Sequence, residues 1–337
     1  MGDILHALPA VTALRLAHPS WVIDWVVEPR WRALFTAEDS LGRVISQPLV
    51  NTVHMAATKE WRHAPLSTQT RHEIKALRRN LRAGDYDAVL DLQGAIRSAV
   101  VCRLANCRRA IGEAAPREGI ARWFFTEQIA TRGTHVIEQD IELAAAVAGD
   151  ELTPATPLLP TDPTSEAWAD ELIASASGRP TVLINPGAGW GAKRWPVERY
   201  AAVAQGLIAR GFRVLINAGP GEEALADAIL AKATSATWIH SSLGQLIAIT
   251  RRVSLVIAGD TGPLHLACAL VRPVIGIYGP TDPSRNGPYG TRFKVLRSPD
   301  SRRDHTRHEA PEAGLLTIQP EAVLQAADEL LAPEAPR

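Results

Sequence analysis

Short runs rich in Val, Ile and Leu alternate along this chain with longer stretches whose apolar positions recur at helical spacing. The runs predict strands over 21–28 (WVIDWVVE), 42–47, 87–92 (DAVLDL) and 109–113. They resume over 181–185 (TVLIN), 213–217 (RVLIN), 237–240, 254–258 (SLVIA), 273–278 (PVIGIY) and 293–296. Helical patterns cover the start of the chain through Leu16, then 72–83, 138–149, 197–210, 222–233 and 320–331. The helix over 138–149 stops at a glycine, the usual residue at a helix end. Strands alternating with helices predict an α/β fold with mostly parallel sheets.

The rhythm is interrupted once. Residues 152–164 (LTPATPLLPTDPT) are rich in Pro and Thr, and proline excludes a continuous helix or strand. This predicts a linker between an N-terminal domain, 1–155, and a C-terminal domain, 156–318. A last helical segment, 319–337, is expected to pack back on either domain, the N-terminal one included. Two halves of one kind suggest two Rossmann-like domains facing a central cleft. A doubly wound domain normally opens on a buried strand. Here the helical pattern begins at Met1-Gly2-Asp3, so the first strand of the N-terminal domain reads as missing.

Composition bears on partners more than on fold. The 337 residues are 46% hydrophobic and 21% charged, which fits a globular protein large enough for two cores. Lys plus Arg and Asp plus Glu both number 36, so there is no basic excess for general nucleic-acid binding. An anionic partner must be met by local clusters of positive charge. The three cysteines, Cys102, Cys107 and Cys268, include no CxxC pair, which fits a reducing cytoplasm with neither a disulfide framework nor a zinc site. Cys268 lies in an apolar helical pattern and reads as a core residue. No apolar run is long enough to span a bilayer, and no signal-peptide pattern opens the chain. Contact with a membrane surface through one face stays open.

Candidate chemistry sits where strands end. Gly259-Asp260-Thr261-Gly262-Pro263-Leu264-His265 joins SLVIA to an apolar helix, and the N–H groups and dipole of a helix start suit a phosphate. Asp260 would repel phosphate, so it orders the loop or caps the helix. A second loop, Asn185 to Pro196 (NPGAGWGAKRWP), includes Ala188 and Gly189. It combines backbone freedom with Lys193, whose charge suits a leaving diphosphate. It is not a Walker A loop. In a third, Gly219-Pro220-Gly221-Glu222-Glu223, a carboxylate either accepts from ribose hydroxyls or simply marks a helix start. Asp3, with His6 near it, is either a general base or a helix cap. The basic group from Lys59, Arg62 and His63 through the helix at 72–83 is mostly a solvated face. Lys59 and Arg62 flank Trp61 in a predicted loop and suit an anionic ligand. Asp91-Leu92-Gln93-Gly94 closes a strand and either shapes the cleft or turns the chain.

Five stretches together carry a resemblance: MGDILHALPAVTAL at 1–14, YDAVLDLQGAIRSA at 86–99, PGAGWGAKRWP at 186–196, GDTGPLHLACAL at 259–270 and YGPTDP at 278–283. In this order they resemble the bacterial lipopolysaccharide heptosyltransferases, inverting glycosyltransferases of the GT-B fold. WRH at 61–63 and the stretch from Arg117 favour the type I members. The resemblance implies ADP-L-glycero-β-D-manno-heptose as donor and the Kdo of Kdo-lipid A as acceptor. It implies a monomer at the cytoplasmic face of the inner membrane, with no metal and no cofactor. Asp3 then matches the catalytic base and Lys193 the lysine at the donor phosphate. Asp260, Thr261, Gly262 and His265 match the donor-binding element, Glu222 the ribose contact, and Ala188 and Gly189 the donor loop. His6, Lys59, Arg62, His63, Gln93 and Arg117 fall on the acceptor side. The family places a strand and a lysine-bearing loop before MGD, which implies a translation start upstream of Met1. Alternatives are a type II enzyme, another nucleotide-sugar transferase, or a non-catalytic nucleotide-sugar-binding remnant.

Overall fold

The computed structural model describes residues 1–176, 178–219, 221–302 and 309–332. Contacts divide the chain into two compact units, Asp3–Pro160 with Met1 and Thr161–Arg337 with Gly2.

The first unit opens on helix α1 (Gly2–Ala17), in which every residue from Leu5 to Leu14 is buried. Strand β1 (Asp24–Val27) pairs in parallel with β4 (Thr52–Met55). Between them, β2 (Ala37–Glu38) and β3 (Val44–Ser46) form a small antiparallel pair, so the run predicted over 42–47 stands outside any parallel sheet. Helices α2 (Thr58–His63) and α3 (Thr68–Ala83) follow; Trp61, expected in a loop, is helical. Its indole N–H donates to Glu73 of α3 at 2.7 Å, and its ring joins the cluster around Leu77 and Leu81. Then come β5 (Ala88–Leu90), α4 (Ile96–Leu104), β6 (Arg109–Glu113), β7 (Glu127–Ile129) and α5 (Val136–Ala148). Strands β5, β6 and β7 form a parallel sheet separate from β1–β4. Helix α5 stops at Gly149, whose φ of 77° is the left-handed conformation a glycine adopts without strain.

The second unit is a six-stranded parallel sheet. After α6 (Pro163–Ala174) its strands are β8 (Thr181–Asn185), β9 (Arg213–Asn217), β10 (Thr237–Ile239), β11 (Leu255–Gly259), β12 (Val274–Tyr278) and β13 (Phe293–Arg297). Helices α7 (Val197–Ala209), α8 (Glu223–Leu230), α9 (Leu243–Thr250), α10 (Gly262–Ala269) and α11 (Pro283–Asn286) connect them. Across the sheet the order is β10-β9-β8-β11-β12-β13. That is the doubly wound order, and it reverses between β8 and β11, where loops leave the strand ends in opposite directions and open a crevice. Strands β8, β11 and β12 are buried at every position, which is why their sequences are continuous apolar runs.

Helix α12 (Pro320–Leu331) packs into the core of the second unit. Its apolar stripe of Val323, Ala326, Ala327 and Leu330 is buried in the same cluster as Val182, Ile216, Ile257 and Ile275. Residues 333–337 of the predicted C-terminal segment and Pro220 of the third glycine loop lie outside the described residues. Among the described residues no helix is long and apolar enough to cross a membrane.

Candidate functional site

At the reversal point of the second sheet, two loops are tied by charge. The loop after β8 carries Lys193 at the end of a 3-10 turn, Gly191–Lys193. The β11 strand ends on Gly259 and delivers Asp260. The Lys193 ammonium donates to one Asp260 carboxylate oxygen at 2.5 Å, and His265 Nε2 lies 3.1 Å from the other. Asp260 therefore does not cap α10; the N-cap is Thr261, and Asp260 orders the loop by ion pairing. Burial alone would raise the Asp260 carboxyl. The hydrogen bond and charge of His265, with the ammonium of Lys193, outweigh burial and hold it well below the usual carboxylate range. Lys193 also stands 5.3 Å from the centre of the Trp190 ring, a cation–π contact that narrows where its head group can go. Thr261 spends its hydroxyl on the Gly259 carbonyl at 3.3 Å, and Gly262 opens the helix. Ala188 is half-buried and Gly189 exposed in the loop before Lys193.

Glu222 completes this side. One of its oxygens accepts from the Gly219 N–H at 2.9 Å, which closes the loop after β9. Its carboxylate also lies over Gly187: a Cβ there would stand 2.2 Å from both oxygens, so the glycine is what admits the carboxylate. A polar chain with no motif of its own links the ends of β8 and β9. The Ser241 hydroxyl donates to Asn217 Oδ1, and Asn217 Nδ2 donates to Asn185 Oδ1, each at 2.7 Å. Asn185 and Asn217 end β8 and β9, and Ser241 lies two residues past β10; the signal in the sequence is an Asn at the end of two like strands, TVLIN and RVLIN.

In the first unit, Asp3 sits in the first turn of α1 but caps nothing; the N-cap position is Met1. One of its oxygens accepts from Gln93 Nε2 at 3.0 Å and from Arg117 at 3.4 Å. Burial raises the Asp3 carboxyl, and Gln93, Arg117, the N-terminal amine and Arg97 together lower it by more, so it stays below its usual range. Gln93 is aimed by a turn: one oxygen of buried Asp91 accepts the N–H groups of Gln93 and Gly94 at 2.8 and 2.9 Å. Gly94 takes a φ of 62° there, so Asp91-Leu92-Gln93-Gly94 turns the chain and presents Gln93 to Asp3. Burial pushes the Asp91 carboxyl up, and its second oxygen is buried without a hydrogen bond. Glu118, unnoticed in the sequence, accepts the Ile96 N–H at 2.8 Å and ties the Arg117 segment to α4.

Of the acceptor-side candidates, Gln93 and Arg117 hydrogen-bond Asp3. His6 is buried, its ring edge-on to His135 at 5.8 Å. Lys59, Arg62 and His63 are exposed on α2, whose start is fixed by Glu28 through Thr58 and the Lys59 N–H. Among the described residues no group of three or more His, Cys, Asp or Glu is placed to hold a metal ion.

A family model described as glycosyltransferase family 9 (heptosyltransferase) matches residues 74–315. Lipopolysaccharide heptosyltransferase 1 of Escherichia coli strain K12 is 30% identical over 337 residues, spanning 96% of this chain and 95% of its own. The solved structure of the E. coli heptosyltransferase WaaC with ADP is 29% identical, with a TM-score of 0.78 over 98% of this chain and 96% of that one. The same enzyme with ADP-2-deoxy-2-fluoro heptose is 28% identical, with a TM-score of 0.76 over 97% and 96%. The fold is thus the α/β, GT-B type with parallel Rossmann-like sheets that the sequence predicts.

Proposed function

Because the chain belongs to glycosyltransferase family 9, the heptosyltransferases, we propose that it moves L-glycero-D-manno-heptose from ADP-heptose to the Kdo of Kdo-lipid A. The Lys193–Asp260–His265 cluster at the start of α10, at the reversal point of a doubly wound sheet, carries this reading. That is where such folds bind nucleotides, and a helix start with a lysine beside it suits a diphosphate. Glu222, between Gly187 and Gly219, is assigned the ribose hydroxyls. The solved relatives that hold ADP and a fluorinated ADP-heptose support the donor. The type I relative supports the acceptor, and with it work at the cytoplasmic face of the inner membrane.

The reaction is one inverting displacement. Asp3 accepts the proton of the acceptor hydroxyl as that oxygen attacks the anomeric carbon, opposite the departing ADP. With its carboxyl held low, Asp3 is fully ionised at neutral pH but a weak base. Like any carboxylate facing an alcohol, it takes the proton as bond formation acidifies the hydroxyl. Lys193 and the N–H groups opening α10 offset the charge gathering on the leaving diphosphate.

A transfer assay tests the reading: ADP-heptose and Kdo-lipid A with the purified chain should yield heptosyl-Kdo-lipid A and ADP. Transfer only to an acceptor already bearing one heptose would replace it with the type II reading. ADP-heptose binding without transfer to either acceptor would leave a binding protein.

A further inference from the structure

We infer that the side of the first unit built from α3, α4 and the 3-10 turn Gly119–Phe124 docks on an anionic lipid surface. These elements are packed in series. Leu77 and Leu81 of α3 meet Val101 and Leu104 of α4, and Ala99 of α4 meets Ala121 of the turn. What they leave outside is unusual in two ways.

The first is apolar. Ile96 and Val100 are one helical turn apart on α4, and they are 36% and 42% exposed. Ile120 and Trp123 are three apart in the 3-10 turn, where such positions eclipse, and they are 61% and 73% exposed. An exposed apolar group of this kind costs free energy in water unless something covers it.

The second is charge. Arg71, Lys75, Arg78 and Arg82 recur at helical spacing along the exposed side of α3, with Arg79 beside them. Arg97 and Arg103 continue the pattern on α4, and the Arg122 guanidinium lies 5.0 Å from the centre of the Trp123 ring. The three elements hold eight Lys and Arg against one acid, Glu73, in a chain whose charges balance overall at 36 to 36. Glu73 is itself engaged by Trp61 and Gln69.

Cations around protruding Trp and Ile side chains match the interface of a bilayer with anionic headgroups. The charges meet phosphates, while the apolar tips enter the acyl boundary. A nucleic acid would satisfy the cations and stack on Trp123 but leave Ile96, Val100 and Ile120 without a partner. The surface adjoins the acceptor side through Arg117 and Glu118, next to the turn. It deepens the proposed function, since that acceptor is itself a lipid, but it is tested without donor or acceptor, so the two readings fail separately.

The test is flotation of the full chain with vesicles of phosphatidylcholine alone and of an equal mixture with phosphatidylglycerol. The protein should float with the mixed vesicles only, and added salt should release it. The double variants Arg78→Glu/Arg79→Glu and Ile120→Ser/Trp123→Ser, on separate elements, should each lower the bound fraction about tenfold with melting temperatures unchanged. Both should keep their affinity for ADP. Equal flotation with both vesicle types, undiminished flotation of either folded variant, or displacement from the mixed vesicles by a short RNA would each overturn the inference.

Discussion

Asp3 and Lys193 show what a sequence can and cannot disclose about single residues. Their types were readable, because a carboxylate in MGD and a lysine after a glycine-rich loop have few roles. Their partners were not. Asp3 meets Gln93 across 90 positions, and Lys193 meets Asp260 across 67, so no periodicity or local motif links them. Those partners set the chemistry. Burial opposes ionisation of Asp3, but Gln93, Arg117, the N-terminal amine and Arg97 together favour it more strongly, so the acid limb of kcat/KM should lie below the ordinary carboxylate range. Arg117→Ala removes a cation that favours the charged form. It should move that limb to higher pH in a pH–rate profile, and an unmoved limb would exclude Asp3 as the base. Asp3→Asn should cost turnover about a hundredfold or more while ADP affinity, measured by calorimetry, stays near the parent value. Gly187 offers a different test. Its backbone is not left-handed, so alanine is sterically possible there, yet the added methyl would displace the Glu222 carboxylate. Gly187→Ala should therefore weaken ADP binding about tenfold, as for one charged hydrogen bond lost, with little change in melting temperature. A drop in melting temperature with ADP affinity kept would remove Glu222 from the ribose.

At the level of elements, burial on both faces decided what could be read. β8 and β9 match their apolar runs residue for residue because parallel strands inside an α/β sheet carry no polar face. The short strands β2, β4 and β7 read AE, TVHM and EQI and carry no such signal. Helix α6 was hidden for another reason. Pro163 ends the proline-rich stretch that reads as a linker, yet it stands at the first helical position, where proline's missing N–H costs nothing. This helix is held to the C-terminal end of α9 by Glu166, which takes both Arg251 and Arg252, while Asp170 takes Arg252 at 2.7 Å. The Glu166 side chain is mostly buried, so this network is screened less than a surface pair. Glu166→Ala should destabilise the protein by about 2 kcal/mol in urea unfolding, because the Arg251 and Arg252 guanidinium groups then lose a mostly buried partner. A loss below about 0.5 kcal/mol would show the bridge to be an ordinary exposed pair.

For the whole molecule, the order of five motifs carried the family where no single motif did. The boundaries were less clear. The proline-rich stretch locates the passage between units, but the division falls after Pro160, because only three-dimensional contact decides which unit holds an irregular segment. The C-terminal helix went to the second unit because its stripe of small and branched residues completes that core. The ion pair at the reversal point also shapes how the molecule behaves in a mixture. With Lys193 already matched by Asp260, the proposed donor site presents little net charge, and a diphosphate bound there would be held by aligned N–H groups and a lysine shared between two anions. Few counterions are freed when ADP arrives, so nucleotide affinity should change little with ionic strength. A wash in concentrated salt should therefore strip the protein from an anionic bilayer while leaving its nucleotide in place.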